Sequence, residues 1–348
     1  MSSLDSSLSL DLPLTLKLVV VEYLWGRQPS QFTFPGGKAN LEAYFQPYFK
    51  YYAQQCTLIG RHAKGKYSSV ETHNNIMHIA QLLRADLPRE TARKHMSDFL
   101  ICEDGKQHDN SINLAARLLS MVRVGDVPHE LGGRHIEWQH GAFREFIHRL
   151  FAPTPGRSHD RLKLERSFKA LNVKRIAGIE IWWTDNLADH LRMMDDDNAV
   201  FIFHHASFLE YQLHNTLYPP HFIEETLRTI SLLFPRSDPA TRKWFQKAAA
   251  RSTHPLDMRL VGIGNLNTEK RQLENFTYWH DRLVILKEVY DDARPNTLSQ
   301  FWWDNRNGPQ WYGFWVALWV MILTILTIFI GFVQCVEGGL QVYKAFKT

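Results

Sequence analysis

Cysteine is scarce in this sequence: there are three in 348 residues, Cys56, Cys102 and Cys335. No two form a C-x-x-C pair, and an odd, sparse set does not build a disulfide framework; it fits a reducing compartment. Charge of one sign is lacking too. Forty basic residues stand against 36 acidic ones, a net charge of +4. No run of five or six Lys/Arg occurs, which argues against nucleic acid as a partner. G-x-S-x-G is missing, and no cysteine carries the local signature of a nucleophile. The first residues, MSSLDSSLSLDLPLTLKLVVVEYL, do not read as a secretory signal. Asp5 and Asp11 stand where positive charge is expected, and Lys17 and Glu22 break the apolar stretch.

Against this even background one segment stands out. From Asn307 to Val336 there is no charged residue, and the densest part runs from Trp311 to Val333. As a helix that part would be about 35 Å long, against about 30 Å of hydrocarbon in a bilayer. In FWVALWVMILTILTIFIGFV (314–333), thirteen residues are Phe, Leu, Ile or Val. Together they favour insertion by roughly 4–8 kcal/mol. Trp302, Trp303, Trp311, Tyr312 and Trp315 crowd one end, and Tyr343 and Phe346 mark the other. Such aromatic belts sit at membrane interfaces, and Lys344 and Lys347 just beyond would meet lipid phosphates. The expectation is an aromatic juxtamembrane segment over 296–310, a transmembrane helix over 311–336 and a short tail over 337–348.

Orientation is not decided by flanking charge. Arg294 and Arg306 precede the segment, and Lys344 and Lys347 follow it. The lack of an export signal and the free thiols predict a tail-anchored, single-pass protein with its N-terminal bulk in the cytosol. The sequon Asn275-Phe276-Thr277 is then unused, placed in a cytosolic helix. Cys335, at the membrane boundary, reads as a buried cysteine rather than a palmitoylated one.

The remaining chain has ample apolar material, 45% overall, for one large domain or two ordinary ones. Its fold class reads as mainly α with a few short strands near 175–203. Residues 1–11 are Ser-rich and expected to be disordered. A helical domain over 12–151 and a second over 161–295 flank the Pro/Gly/Ser punctuation APTPGRSHD (152–160). LEAYFQPYFKYYAQQ, NNIMHIAQLLRA, NSINLAARLLSMVR and GAFREFIHRLF carry apolar residues at three and four spacing. RIAGIEIWW and AVFIF read as strands, with TDNLADHL between them as a short helix capped by Thr184 or Asp185. MMDDDN reads as a solvated turn. Asp238-Pro239 opens a further helix. TEKRQLENFTYWHDRLVILKEVY is predicted as the last helix before the membrane, its core stripe being Phe276, Trp279, Leu283, Leu286 and Tyr290.

Candidate chemistry is incomplete at each place it arises. Gly60, Gly65 and Lys66 have P-loop spacing, but Tyr67 stands where a P-loop needs Ser or Thr to hold magnesium. Asp185, at the end of IEIWWTD, is a distant candidate for the matching metal-binding strand end. HHASFLEYQLH offers His204, His205, Glu210 and His214, with Glu210 and His214 one helical turn apart. This is not H-E-x-x-H, and Ser207 with Glu210 also fits a capping box. His-Asp pairs occur at His108-Asp109, His159-Asp160 and His280-Asp281. Helical phosphohydrolases use such pairs for two metals, but three are only a mild excess over chance. The weak metal candidates are therefore His204, His205, His214, His280 and Asp281. No catalytic residue and no cofactor is assigned.

The tail FWWDNRNGPQWYGFWVALWVMILTILTIFIGFVQCVEGGLQVYKAF resembles that of a group of uncharacterised proteins of filamentous fungi. These share W-W-x-D-R-R-N, then Q-W-Y-x-F-W-V-A, an apolar helix and E-G-x-L-Q-V-Y-K-A. This chain departs at Asn305, and keeps Gln310, Trp311, Tyr312, Glu337, Gly338, Gln341, Tyr343 and Lys344. GRHIEWQHGAFREFIHRLF and RIAGIEIWWTDNLADHL are also similar to the group. The resemblance covers roughly residues 130–348 and implies a fungal single-span membrane protein, with no activity attached. The resulting expectation is a membrane-anchored, non-catalytic module that touches lipid and binds a protein partner, with a homo-oligomer compatible. The alternative is a membrane-tethered metal-dependent hydrolase using histidines of the second half.

Overall fold

The aromatic stripe of LEAYFQPYFKYYAQQ faces inward in the computed structural model. The structure describes residues 4, 8, 12–27, 41–61, 67–100, 104–126, 135–153, 162–294, 297–304, 306 and 308–347. Helices α1 (Leu14–Trp25), α2 (Leu41–Arg61), α3 (His73–Arg84), α4 (Arg89–Met96), α5 (Gly105–Ser120) and α6 (Phe143–Leu150) form the first part. Then come α7 (Ala170–Arg175), β1 (Glu180–Thr184), β2 (Met193–Met194), β3 (Ala199–Phe203), α8 (Ala206–Gln212), α9 (Phe222–Leu233) and α10 (Pro239–Arg251). The order ends with α11 (His280–Asp292), α12 (Leu298–Trp303) and α13 (Gly308–Lys347). The fold is mainly helical with one small sheet, as the periodicity predicts.

Helix α2 buries Tyr44, Tyr48, Tyr51 and Tyr52. Buried phenols need acceptors. Tyr48 donates to the Leu118 carbonyl at 2.8 Å and Tyr44 to that of Ser207 at 2.9 Å. These bonds tie α2 to the end of α5 and to α8. Helix α5 closes at Met121, which takes a left-handed φ of 50°. One buried apolar cluster draws side chains from both sides of residues 152–153, and the rings of Phe151 and Phe222 lie 4.2 Å apart.

The sheet has the order β1-β3-β2. Strands β1 and β3 run parallel, with Glu180 opposite Ala199 and Thr184 opposite Phe203; β2 pairs antiparallel with β3. Both parallel strands therefore end at the same edge of the sheet. Asp195, Asp196 and Asp197 form the exposed turn that MMDDDN predicts, each with positive φ.

Several expectations are corrected. Residues 268–290 are not one helix: short 3-10 turns occupy Glu269–Arg271 and Leu273–Asn275, and α11 begins only at His280. Glu225 of α9 is the reason. Its carboxylate accepts the main-chain N–H groups of Thr277, Tyr278 and Trp279, each at 2.8 Å. Asn275 thus lies in a 3-10 turn rather than a helix. The stripe Phe276, Trp279, Leu283, Leu286 and Tyr290 is still fully buried. TDNLADHL forms a 3-10 turn, Leu187–Asp189, capped by Asn186 rather than Thr184 or Asp185. The Ser207/Glu210 capping box does not form. The Ser207 N–H goes to Asp257 at 2.6 Å, and Glu210 pairs with Arg259 at 2.5 Å. Asp238 caps α10 as expected, accepting the Thr241 N–H at 3.0 Å. Residues 1–11 apart from Leu4 and Leu8, most of the 152–160 segment, Gly65, Lys66, Cys102, His159 and Asp160 lie outside the described residues.

Helix α13 is 40 residues long and runs unbroken through the short tail to Lys347. From Trp311 it is long and apolar enough to cross a membrane, and no part of its most apolar window is buried among the described residues. Cys335 is exposed on it, contrary to the buried expectation. Thr324 and Thr327 donate back to the carbonyls of Val320 and Leu323, both at 2.8 Å, which satisfies their hydroxyls within the helix.

Candidate functional site

The parallel register sets Asp185, one residue past β1, beside His204 and His205, which follow β3. His204 Nε2 donates to Asp185 Oδ1 at 3.0 Å, and His205 Nε2 donates to the same oxygen at 2.6 Å. The two imidazoles stack at 4.0 Å between centroids. Among the described residues, these three form the one group of His, Cys, Asp or Glu close enough to share a metal ion, with their donor atoms within 4.8 Å of one another.

Local structure holds each part in place. The turn after β1 is anchored by Asn186, whose Oδ1 accepts the N–H of Arg123 at 3.0 Å and whose Nδ2 donates to Asp189 at 2.8 Å. The Leu187 N–H reaches the Met121 carbonyl at 2.8 Å, joining this turn to the end of α5. On the other strand, His205 is the first residue of the turn into α8, and its ring packs edge-on against Tyr51 of α2 at 6.1 Å.

The histidine side chains are 5% and 1% exposed, while that of Asp185 is 40% exposed. Burial alone would raise the Asp185 carboxyl, but the two imidazole hydrogen bonds outweigh it and hold the group well below the usual carboxylate range. Burial, reinforced by the neighbouring His205, pushes the His204 imidazole below its ordinary value despite Asp185. Neither Nδ1 has a hydrogen-bond partner among the described residues. Buried His190 differs. Its Nδ1 accepts the Phe203 N–H at 3.2 Å and its Nε2 donates to Thr229 at 2.7 Å. With both nitrogens used and burial pushing it down to about 3, His190 is a neutral structural residue.

Asp185 and Asn186 open onto a cleft of about 470 Å³, whose other walls include Tyr51, Arg117, Arg123 and His254. The cluster thus has a buried nitrogen side and an oxygen side that meets solvent through a mixed lining that includes two arginines.

Of the predicted candidates, only His204 and His205 converge. His214 is exposed, beyond the end of α8. His280 and Asp281 pair with each other at 3.1 Å at the head of α11. The adjacent Arg282 donates to the carbonyls of Ala188 and His190 at 2.9 and 2.5 Å. His108 meets Ser69 at 3.1 Å, while Asp109 pairs with Arg89 at 3.2 Å and with Arg93. Gly60 lies within α2, so no phosphate loop begins there. Asp185 was reached in the sequence only as a distant P-loop partner and a helix cap. A stronger signal was present: two apolar, strand-like runs, IEIWWTD and AVFIFHH, each end in metal-ligating residue types.

A second constellation joins the body to α13. The Arg306 guanidinium donates to both Asp304 oxygens at 2.8 Å, to the Ala293 carbonyl at 2.7 Å and to the Tyr290 carbonyl. The Arg175 guanidinium lies over the Trp303 ring at 3.9 Å, and Trp302 packs on Trp315 at 4.3 Å. Trp311 touches Tyr312 and Trp315. Tyr343, Lys344 and Lys347 are exposed on the last turns of α13. The sequence-predicted interface residues therefore flank the apolar stretch at its two ends. No protein-family model, curated protein or solved structure matches the chain.

Proposed function

We propose that the protein is a single-span membrane protein whose helical body lies in the cytosol, fixed against the bilayer surface, and acts there by binding a protein partner. On this reading it belongs with the fungal single-span group whose tail it resembles. The observation that carries the proposal is α13, a continuous helix whose apolar side chains from Val316 to Phe332 are largely exposed and none of them buried among the described residues. A soluble protein would leave that surface in water at a cost of roughly 25 cal/mol per Å². A bilayer removes it.

The junction supports a fixed rather than a swinging tether. Arg306 crosslinks the segment before α13 to the end of α11, and α12 packs on α7 through Trp303 and Arg175. Trp302, Trp303, Trp311, Tyr312 and Trp315 then lie at headgroup depth, where amphipathic rings are favoured. Lys344 and Lys347 serve the opposite face.

Removing residues 309–348 tests the anchor. The truncated chain is expected in the supernatant after alkaline carbonate extraction, and the full chain in the pellet. A truncated chain that still pellets with membranes contradicts the reading.

A further inference from the structure

His204 and His205 spend two buried imidazoles on a single carboxylate oxygen. Buried His190, by contrast, spreads its two ring nitrogens over two separate partners, the Phe203 N–H and the Thr229 hydroxyl. Here the only polar partner that either ring finds among the described residues is Asp185 Oδ1. That common point is where a shared cation would sit. Ligand atoms around a tetrahedral zinc ion are about 3.3 Å apart, given metal–ligand distances of about 2.0–2.1 Å. The two imidazole–carboxylate separations are 3.0 and 2.6 Å, and all three donor atoms lie within 4.8 Å of one another, the range a shared ion spans after side-chain adjustment. Asp185 is the partly exposed member and the one able to make it.

We propose that Asp185, His204 and His205 bind one zinc-class divalent ion, leaving an open coordination position toward the cleft. Two imidazole nitrogens and one carboxylate oxygen select zinc, cobalt, iron or manganese over calcium and magnesium, which take oxygen donors. The ion takes the lone pairs of both Nε2 atoms, and the ring protons reside on Nδ1. Three protein donors do not close a tetrahedral shell, and a water or an anion completes it. The cleft admits that ligand, and Arg117 and Arg123 in its lining favour an anionic one such as inorganic phosphate. This site is independent of the membrane anchor and of its orientation.

The test uses the full chain in detergent, stripped with a chelator and titrated with Co²⁺. One saturable equivalent is expected, with the strong visible bands of four- or five-coordinate cobalt, bleached on adding Zn²⁺. Asp185→Asn, His204→Gln and His205→Gln are each expected to weaken binding at least tenfold. His221→Gln, at an exposed histidine paired with Glu224 at the start of α9, is expected to bind as wild type. X-ray absorption at the zinc edge of the wild-type protein reads the shell without any variant: two imidazoles with oxygen neighbours are expected. No saturable equivalent, a shell without two imidazoles, or folded variants that bind like wild type would each overturn the proposal.

Discussion

Arg306 and Asp304 pair through two hydrogen bonds of 2.8 Å, and the same guanidinium reaches the carbonyls of Tyr290 and Ala293. One side chain thus ties the chain entering α13 to the end of α11. Both side chains are mostly buried, so this pair has a value that exposed surface pairs lack. Arg306→Ala is expected to free the connection, raising the rate of limited proteolysis between residues 293 and 308 severalfold. Arg306→Lys is expected to restore only part of the protection, because an ammonium cannot fork onto a carboxylate and two carbonyls at once. Equal cleavage of all three proteins would show that the junction is not held by this residue.

Asp238 gives the stability a pH dependence of known sign. Burial works to raise its carboxyl, but hydrogen bonds from Thr241 and Lys169 outweigh it and leave the group below the ordinary carboxylate value. A depressed folded value contributes stability above the unfolded value of about 3.9, and this is lost as pH falls through the folded value. Asp238→Ala is expected to cost roughly 0.5–2 kcal/mol at pH 7, the usual worth of an N-cap. Chemical unfolding of both proteins at pH 7 and at pH 3 checks this. The gap should shrink at the lower pH, and a gap that widens would refute the assignment.

Glu225 is 2% exposed and organises the approach to α11 through three main-chain N–H groups. Glu225→Ala leaves those donors buried and unpaired, which is expected to cost at least 3 kcal/mol, at roughly 1–3 kcal/mol per orphaned group. Glu225→Gln keeps one acceptor oxygen, and should cost less. Thermal unfolding of the two variants compares them, and an alanine variant as stable as wild type would remove Glu225 from this role.

The insertion energy of α13 sets how many charges it tolerates. One arginine near the bilayer centre costs roughly 2.5–3.5 kcal/mol, against the roughly 4–8 kcal/mol gained by the segment. Leu323→Arg alone is expected to leave the protein membrane-bound. Leu323→Arg with Leu326→Arg is expected to release it into the carbonate supernatant, since two arginines consume most of the gain. Release by the single substitution, or retention of the double variant, would contradict this accounting.

Much of the helical layout was legible because local spacing and burial agree: the Tyr44-to-Tyr52 stripe of α2 and the Asp238-Pro239 start of α10 both lie where the pattern predicts. The failures share a different cause, which is a polar partner far away in the chain. The stripe through Phe276 and Trp279 keeps helical spacing, but Glu225, about 50 residues earlier, takes the N–H groups that a continuous helix would need. Ser207 and Glu210 have capping-box spacing, yet Asp257 takes one bond and Arg259 the other. The Asp185 cluster was half legible, since IEIWWTD and AVFIFHH each end in ligand residue types, but the pairing of the two runs was not. Its members meet only through the β1–β3 register, which no local pattern encodes.

Protease protection of sealed membranes, with tags at both termini, tests the membrane reading most directly. The account predicts digestion of the N-terminal tag and protection of the C-terminal one, with Asn275 unglycosylated. Protection of the N-terminal bulk together with glycosylated Asn275 would contradict it and place the body on the other side of the membrane.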